Sequence, residues 1–118
     1  MARTVLIVDD HAPFRSAARA LLEAGGFEVV GEAGDGASAI TAAEDLRPHV
    51  VLLDVHLPDI DGFAVAARIG EKDASPAIVL TSSRSASSFR RRLAANADLR
   101  FIPKSELSVE ALAAALVR

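Results

Sequence analysis

The 118-residue sequence predicts an α/β fold, a doubly wound five-stranded parallel sheet in a (βα)5 order with helices on both faces. Three observations carry that prediction. Short, continuous apolar runs rich in β-branched residues suit strands buried on both faces. Stretches of helical period separate them. The strand-then-helix unit recurs five times with short connections, which favours parallel pairing with crossover helices.

The first run, Val5-Leu6-Ile7-Val8, stops at Asp9-Asp10. A helix follows, with Pro13 suited to its first turn and Phe14, Ala17, Ala18, Leu21 and Leu22 on one face. Gly25-Gly26 marks a turn into Val29-Val30, whose flanking Glu28 and Glu32 suggest a strand near the sheet edge. The Gly34-Asp35-Gly36 turn leads to a helix with Ala39, Ile40, Ala43 and Leu46 on one side. The third strand, Val50-Val51-Leu52-Leu53, ends at Asp54, and Phe63, Ala66 and Ala67 mark its helix. A turn over Lys72 to Pro76 precedes Ala77-Ile78-Val79-Leu80, which stops at Thr81. A serine-rich patch (Ser82, Ser83, Ser85, Ser87, Ser88) enters a helix carrying Phe89 and Leu93 on one face. The fifth strand is brief, Phe101-Ile102 ending at Pro103-Lys104, and the last helix places Val109, Leu112, Ala113, Leu116 and Val117 together.

Residues 1–118 are expected to form one domain, since this length is too short for two ordinary ones. With 51% hydrophobic and 25% charged residues the chain is globular. Its 4% of aromatics and 24 alanines mean a core of Ala, Val, Leu and Ile. A net charge of −3 offers no basic excess for nucleic acid. The absence of Cys excludes disulfides, thiol nucleophiles and thiolate metal sites. No apolar run reaches the roughly 18 residues of a membrane span, and MARTVLIVDD meets acids too early for a signal peptide. The expected location is the cytoplasm.

Four apolar runs end on chemistry: Asp9-Asp10, Asp54, Thr81 and Lys104 follow the first, third, fourth and fifth strands. In open α/β sheets the carboxyl ends of the strands line the ligand crevice. With the second strand at the edge, the other four ends converge. Three carboxylates within about 4 Å of one another repel by a few kcal/mol per pair at an effective dielectric near 20. A hard cation relieves this, and carboxylate oxygens with room for water suit Mg²⁺. A lysine point charge and a threonine hydroxyl match phosphoryl oxygens, and a carboxylate nucleophile gives an aspartyl-phosphate.

At these residues the chain resembles the receiver domain of two-component response regulators. The resemblance rests on the acidic pair, on Asp54 within Leu53-Asp54-Val55-His56-Leu57-Pro58-Asp59-Ile60-Asp61-Gly62, on Leu80-Thr81 and on Lys104. It implies the flavodoxin-like strand order 2-1-3-4-5, the order of a chemotaxis receiver. It implies that Asp54 is the phosphoacceptor, that Asp10 binds Mg²⁺ directly with Asp9 assisting, and that Asp54 and the His56 backbone carbonyl complete the protein's ligands. Thr81 is the implied switch hydroxyl, with Ser82 also compatible by spacing. Lys104 pairs with the phosphoryl oxygen, and Phe101 is the aromatic whose rotamer follows the switch. A histidine kinase or phosphotransfer protein donates the phosphoryl group, and the domain catalyses only its own phosphorylation and dephosphorylation. The surface of the fourth helix, fifth strand and fifth helix then acts on an output domain or partner, with a homodimer also compatible.

Three departures stand out: Pro103 precedes Lys104 and Ser105 follows it; the segment from Ala95 to Arg100 is about one residue longer than usual, with Asn96 where Gly is common; and Thr81 is followed by two serines. The Lys-Ser ending resembles receivers joined to helix-turn-helix domains of transcription regulators, and the chain holds no output domain of its own. Asp59 and Asp61 read as turn and capping residues, with Gly62 permitting the bend. His49 reads as surface. The His56 side chain reads equally as a neighbour of the phosphoryl site and as surface, and Arg90-Arg91-Arg92 equally as a solvated face and as output surface. Two rivals differ in class. An Asp-nucleophile phosphatase usually carries a second Asp two residues after the nucleophile, where this chain has His56. A degenerate binding module is expected to have lost Asp54, Thr81 or Lys104, and none is lost.

Overall fold

A computed structural model describes residues 3–71 and 75–117. Its sheet has five parallel strands: β1 (Thr4–Val8), β2 (Glu28–Ala33), β3 (Val50–Asp54), β4 (Ala77–Ser82) and β5 (Arg100–Pro103), in the order β2-β1-β3-β4-β5. The helices are α1 (Ala12–Ala24), α2 (Gly36–Leu46), α3 (Gly62–Gly70), α4 (Arg90–Ala95) and α5 (Val109–Leu116). The order 2-1-3-4-5 places β2 at the edge, as its glutamates suggest, and makes β1 and β3 central.

Strand alternation divides the core into two layers. Leu6, Val8, Val51, Leu53, Ile78 and Leu80 pack with Ala39, Ala43, Phe63, Val65, Ala66, Ile69 and Phe89, the α2–α3–α4 side. Val5, Ile7, Val50, Leu52, Val79 and Ile102 pack with Ala18, Leu22 and Leu112, the α1–α5 side. Leu6, Ile7, Leu52, Leu53 and Leu80 are fully buried, and each such side chain contributes roughly 1.5–3 kcal/mol relative to exposure.

Three helices differ in detail from the sequence pattern. In α1 only Ala18 and Leu22 are buried, with Phe14 half-buried, while Ala17 and Leu21 face out. In α5 the packed face is Ala111, Leu112, Ala115 and Leu116, and Val117 lies beyond the helix end at 69% exposed. An all-alanine stretch gives helical periodicity no contrast, so the face was set by tertiary packing. The fourth helix is split: a 3₁₀ turn over Ala86–Phe89 precedes a short α4, and Phe89 is the residue where the two meet. The expected turn from Lys72 to Pro76 lies mostly outside the described residues. Among those described, no helix is long and apolar enough to cross a membrane.

Candidate functional site

The site is built by carrying strand alternation one step past the core. On β3, Asp54 continues the row of Val50 and Leu52; on β4, Thr81 continues that of Val79; Asp9 lies two residues beyond Ile7, and Lys104 two beyond Ile102. The register sets Asp54 directly opposite Thr81. All four therefore rise at the C-terminal end of the sheet, on the α1–α5 side.

Asp9, Asp10 and Asp54 each offer a carboxylate oxygen within 4.8 Å of the others. Asp9 is fully buried, Asp54 is 4% exposed, and Asp10 is open to solvent. The Lys104 ammonium lies 2.6 Å from Asp9 Oδ2 and 3.6 Å from Asp54 Oδ2. The closer pair is off the line of a hydrogen bond, so that oxygen is ion-paired without being hydrogen-bonded. Asp9 Oδ1 accepts from the His11 N–H at 2.8 Å, and the Arg15 guanidinium donates to the Asp9 carbonyl at 2.5 Å. Asp54 Oδ1 receives only a long bond, 3.3 Å, from the His56 N–H. Burial, and then the Asp9 charge, push the Asp54 carboxyl above the usual carboxylate range, outweighing the opposing pull of Lys104 and the His56 N–H. Thr81 Oγ1 is buried and has no hydrogen-bond partner, an arrangement native structures rarely leave unexplained.

The neighbouring loop is arranged differently. Asp59 reaches across to the start of α2, where its Oδ1 and Oδ2 accept from the Gly36 and Ala37 N–H groups at 2.7 and 3.0 Å. Asp61 is the N-cap of α3, accepting from the Phe63 N–H at 2.7 Å, and it pairs with Arg92 of α4 at 2.6 Å. Gly62 packs so closely that an added Cβ would stand 2.4 Å from the Asp54 carbonyl oxygen. No other residue fits there without moving the backbone that carries Asp54.

The sequence matches the response regulator receiver domain family over residues 5–116. The chain belongs to that family. Among its relatives, the Bordetella pertussis transcription regulator BvgA is 35% identical over 115 residues, covering 98% of this chain and 55% of BvgA. A protein-glutamate methylesterase/protein-glutamine glutaminase of Hahella chejuensis is 41% identical over 81 residues, covering 69% of this chain and 23% of that protein. This receiver domain thus spans about half, or less, of the length of these curated relatives. Among solved structures, a signal receiver domain from Mycobacterium tuberculosis superposes with a TM-score of 0.81 at 31% identity, over 99% of this chain and 98% of the other.

Of the residues singled out from sequence, the receiver fold brings Asp9, Asp10, Asp54, Thr81 and Lys104 into one pocket. Ser82 points to the opposite side of β4, fully buried, and its hydroxyl accepts from the Arg84 N–H at 3.0 Å. Phe101 is half-buried beside Phe89, ring centroids 5.6 Å apart. His56 is exposed and lies 5.9 Å from Phe89. His49 is on the surface, where its Nδ1 accepts from the Thr4 N–H and ties the starts of β1 and β3. Lys104 does not end a strand in open loop; it opens a 3₁₀ turn over Lys104–Glu106.

Sequence reasoning missed Phe89, which stands between His56, Phe63 and Phe101, and Phe14, whose ring lies 4.6 Å from Lys104 Nζ. Both looked like helix-core residues. Arg92 also escaped: exposed like Arg90 and Arg91, it nonetheless lies over the Phe63 ring at 4.0 Å and pairs with Asp61. No local signal distinguishes it from its two neighbours.

Proposed function

We propose that this receiver domain accepts a phosphoryl group on Asp54 from a histidine kinase or phosphotransfer protein, in a Mg²⁺-dependent reaction. The observation that carries the reading is the pairing, across one step of the sheet, of a crowded carboxylate with a buried hydroxyl that has no partner, Asp54 opposite Thr81. Three carboxylates around one point fit a hard divalent cation. Asp9, Asp10, Asp54 and the His56 carbonyl would hold Mg²⁺, which when bound supplies positive charge to the phosphoryl oxygens. An Asp54 oxygen attacks phosphorus, the donor's bond to phosphorus breaks, and the donor leaves with that electron pair. Lys104, now ion-paired to Asp9, meets a phosphoryl oxygen, and the Thr81 hydroxyl gains its missing acceptor.

The product adds roughly two negative charges. Movement of Thr81 draws on the β4–α4 connection, where Phe89 touches Phe101. Phe101 turns inward, and the α4-β5-α5 surface changes its affinity for an output domain or partner. The family relation to BvgA supports transcription regulation as the output, and methylesterase fusions are the second form that its relatives take. The domain has no other catalytic role in this reading, and it works in the cytoplasm, where such kinases present their phosphoryl groups.

Intact mass after incubation with acetyl phosphate tests it. The gain of one phosphoryl group should require Mg²⁺, vanish with EDTA, and be absent from Asp54→Asn. An Asp54→Asn protein phosphorylated at the normal rate would overturn the assignment. No gain on the native protein, together with no beryllofluoride binding, would favour a module that works without phosphorylation.

A further inference from the structure

The Lys104 side chain has a feature that the ion pairs do not account for. A lysine reaches its target through four rotatable bonds, and confining the ammonium costs rotamer entropy. Here Pro103 and the 3₁₀ turn over Lys104–Glu106 fix the Lys104 backbone but leave its side-chain torsions unrestrained. The nearest anion, Asp9 Oδ2, is not aligned for a hydrogen bond, and Asp54 is 3.6 Å away. The third neighbour is the Phe14 ring, its centroid 4.6 Å from Nζ, well inside the range of about 6 Å over which a ring face attracts a cation.

Phe14 is placed for this. It sits in the first turn of α1, four residues after Asp10, and its half-buried ring packs against the α1–α5 core layer. Core contacts thus hold the ring while the ring faces the ammonium. The fold delivers the acid pair and the lysine's aromatic neighbour on one short segment, residues 9–14.

We infer that Phe14 is a positioning residue for phosphoryl transfer, its ring face holding the Lys104 ammonium over the acidic pocket. The inference rests on the phosphoacceptor reading above and adds a residue to it. A leucine at position 14 would fill similar space and attract no cation, whereas a tyrosine would keep the π face.

The experiment compares initial rates of phosphorylation by acetyl phosphate, at saturating Mg²⁺, for the native domain, Phe14→Leu, Phe14→Tyr and Lys104→Met. Melting curves verify folding, and proton NMR of the Lys104 Cε methylene provides a signature that packing alone would not move. Phe14→Leu is expected to slow phosphorylation about fivefold, the loss of one exposed-to-partly-buried cation–π contact. Its Lys104 Cε protons should lose the upfield shift that a ring produces. Phe14→Tyr should restore both the shift and, within about twofold, the rate. A native rate in Phe14→Leu, or an equal slowing in Phe14→Tyr with the shift intact, would overturn the role of Phe14. A native rate in Lys104→Met would instead remove Lys104 from the reaction, and so refute the underlying reading.

Discussion

Two groups of carboxylates flank one short segment of this chain, the strand-end pocket of Asp9, Asp10 and Asp54 and the loop pair Asp59 and Asp61, and their surroundings are opposite. Asp59 gathers N–H groups from Gly36, Ala37 and Ile60, and those bonds hold its carboxyl below the usual range. Burial acts to raise Asp61, but Arg92 and the Phe63 N–H outweigh it and leave it lowered. Asp54 has one long N–H bond and a buried acid for a neighbour, and it is raised. Acids that build the fold are given donors; Asp54, the acid proposed to react, is left short of them. The pocket is a place where folding tolerates repulsion that a cation, such as the Lys104 ammonium, relieves.

Gly62 joins the two groups, and breaking it should have the largest effect. In Gly62→Ala the new Cβ would meet the backbone of Asp54 and Val55 at 2.4 and 2.7 Å. A loss of about 3 kcal/mol or more in urea unfolding is expected, since overpacking against backbone has no flexible neighbour to yield. Asp61→Ala should cost about 1–2 kcal/mol by the same measurement, from the lost α3 cap and its exposed partner Arg92. Asp54→Asn should act with the opposite sign, raising stability by about 1 kcal/mol, or about 4 °C in Tm for a domain of this size, because it removes a crowded buried charge. Equal signs for Asp61→Ala and Asp54→Asn would dissolve the contrast.

The smallest effect concerns pH. A carboxyl held below its unfolded value lends stability that is present above that value and lost as pH falls through the folded one. For Asp59 the loss therefore falls below about pH 4. Urea midpoints at pH 6 and pH 3 should drop less for Asp59→Asn than for the native domain, and an unchanged drop would take Asp59 out of the cap.

Much of this was legible in the sequence. The uninterrupted runs at Val5–Val8, Val50–Leu53 and Ala77–Leu80 announced central strands, and the acids of β2 announced an edge. The clustering of Asp9, Asp54, Thr81 and Lys104 followed from which strands they end. Alternation alone would also have separated Thr81 from Ser82, since the two residues face opposite sides of β4. Faces of alanine-rich helices were not legible, because Ala113 and Ala115 differ in burial but not in chemistry. Nor was the Asp59 bond to α2, which joins residues 23 apart, or the contact of Phe14 in α1 with Lys104 in the turn after β5. Long-range contacts of that kind carry no sequence period.

The central claim is that one acid among sixteen is chemically distinct. Phosphorylation by acetyl phosphate and Mg²⁺, followed by borohydride reduction of the acyl phosphate and peptide mapping, reads this directly. Reduction should convert Asp54 alone to homoserine. Homoserine at Asp59 or Asp61, or distributed among several acids, would contradict the account.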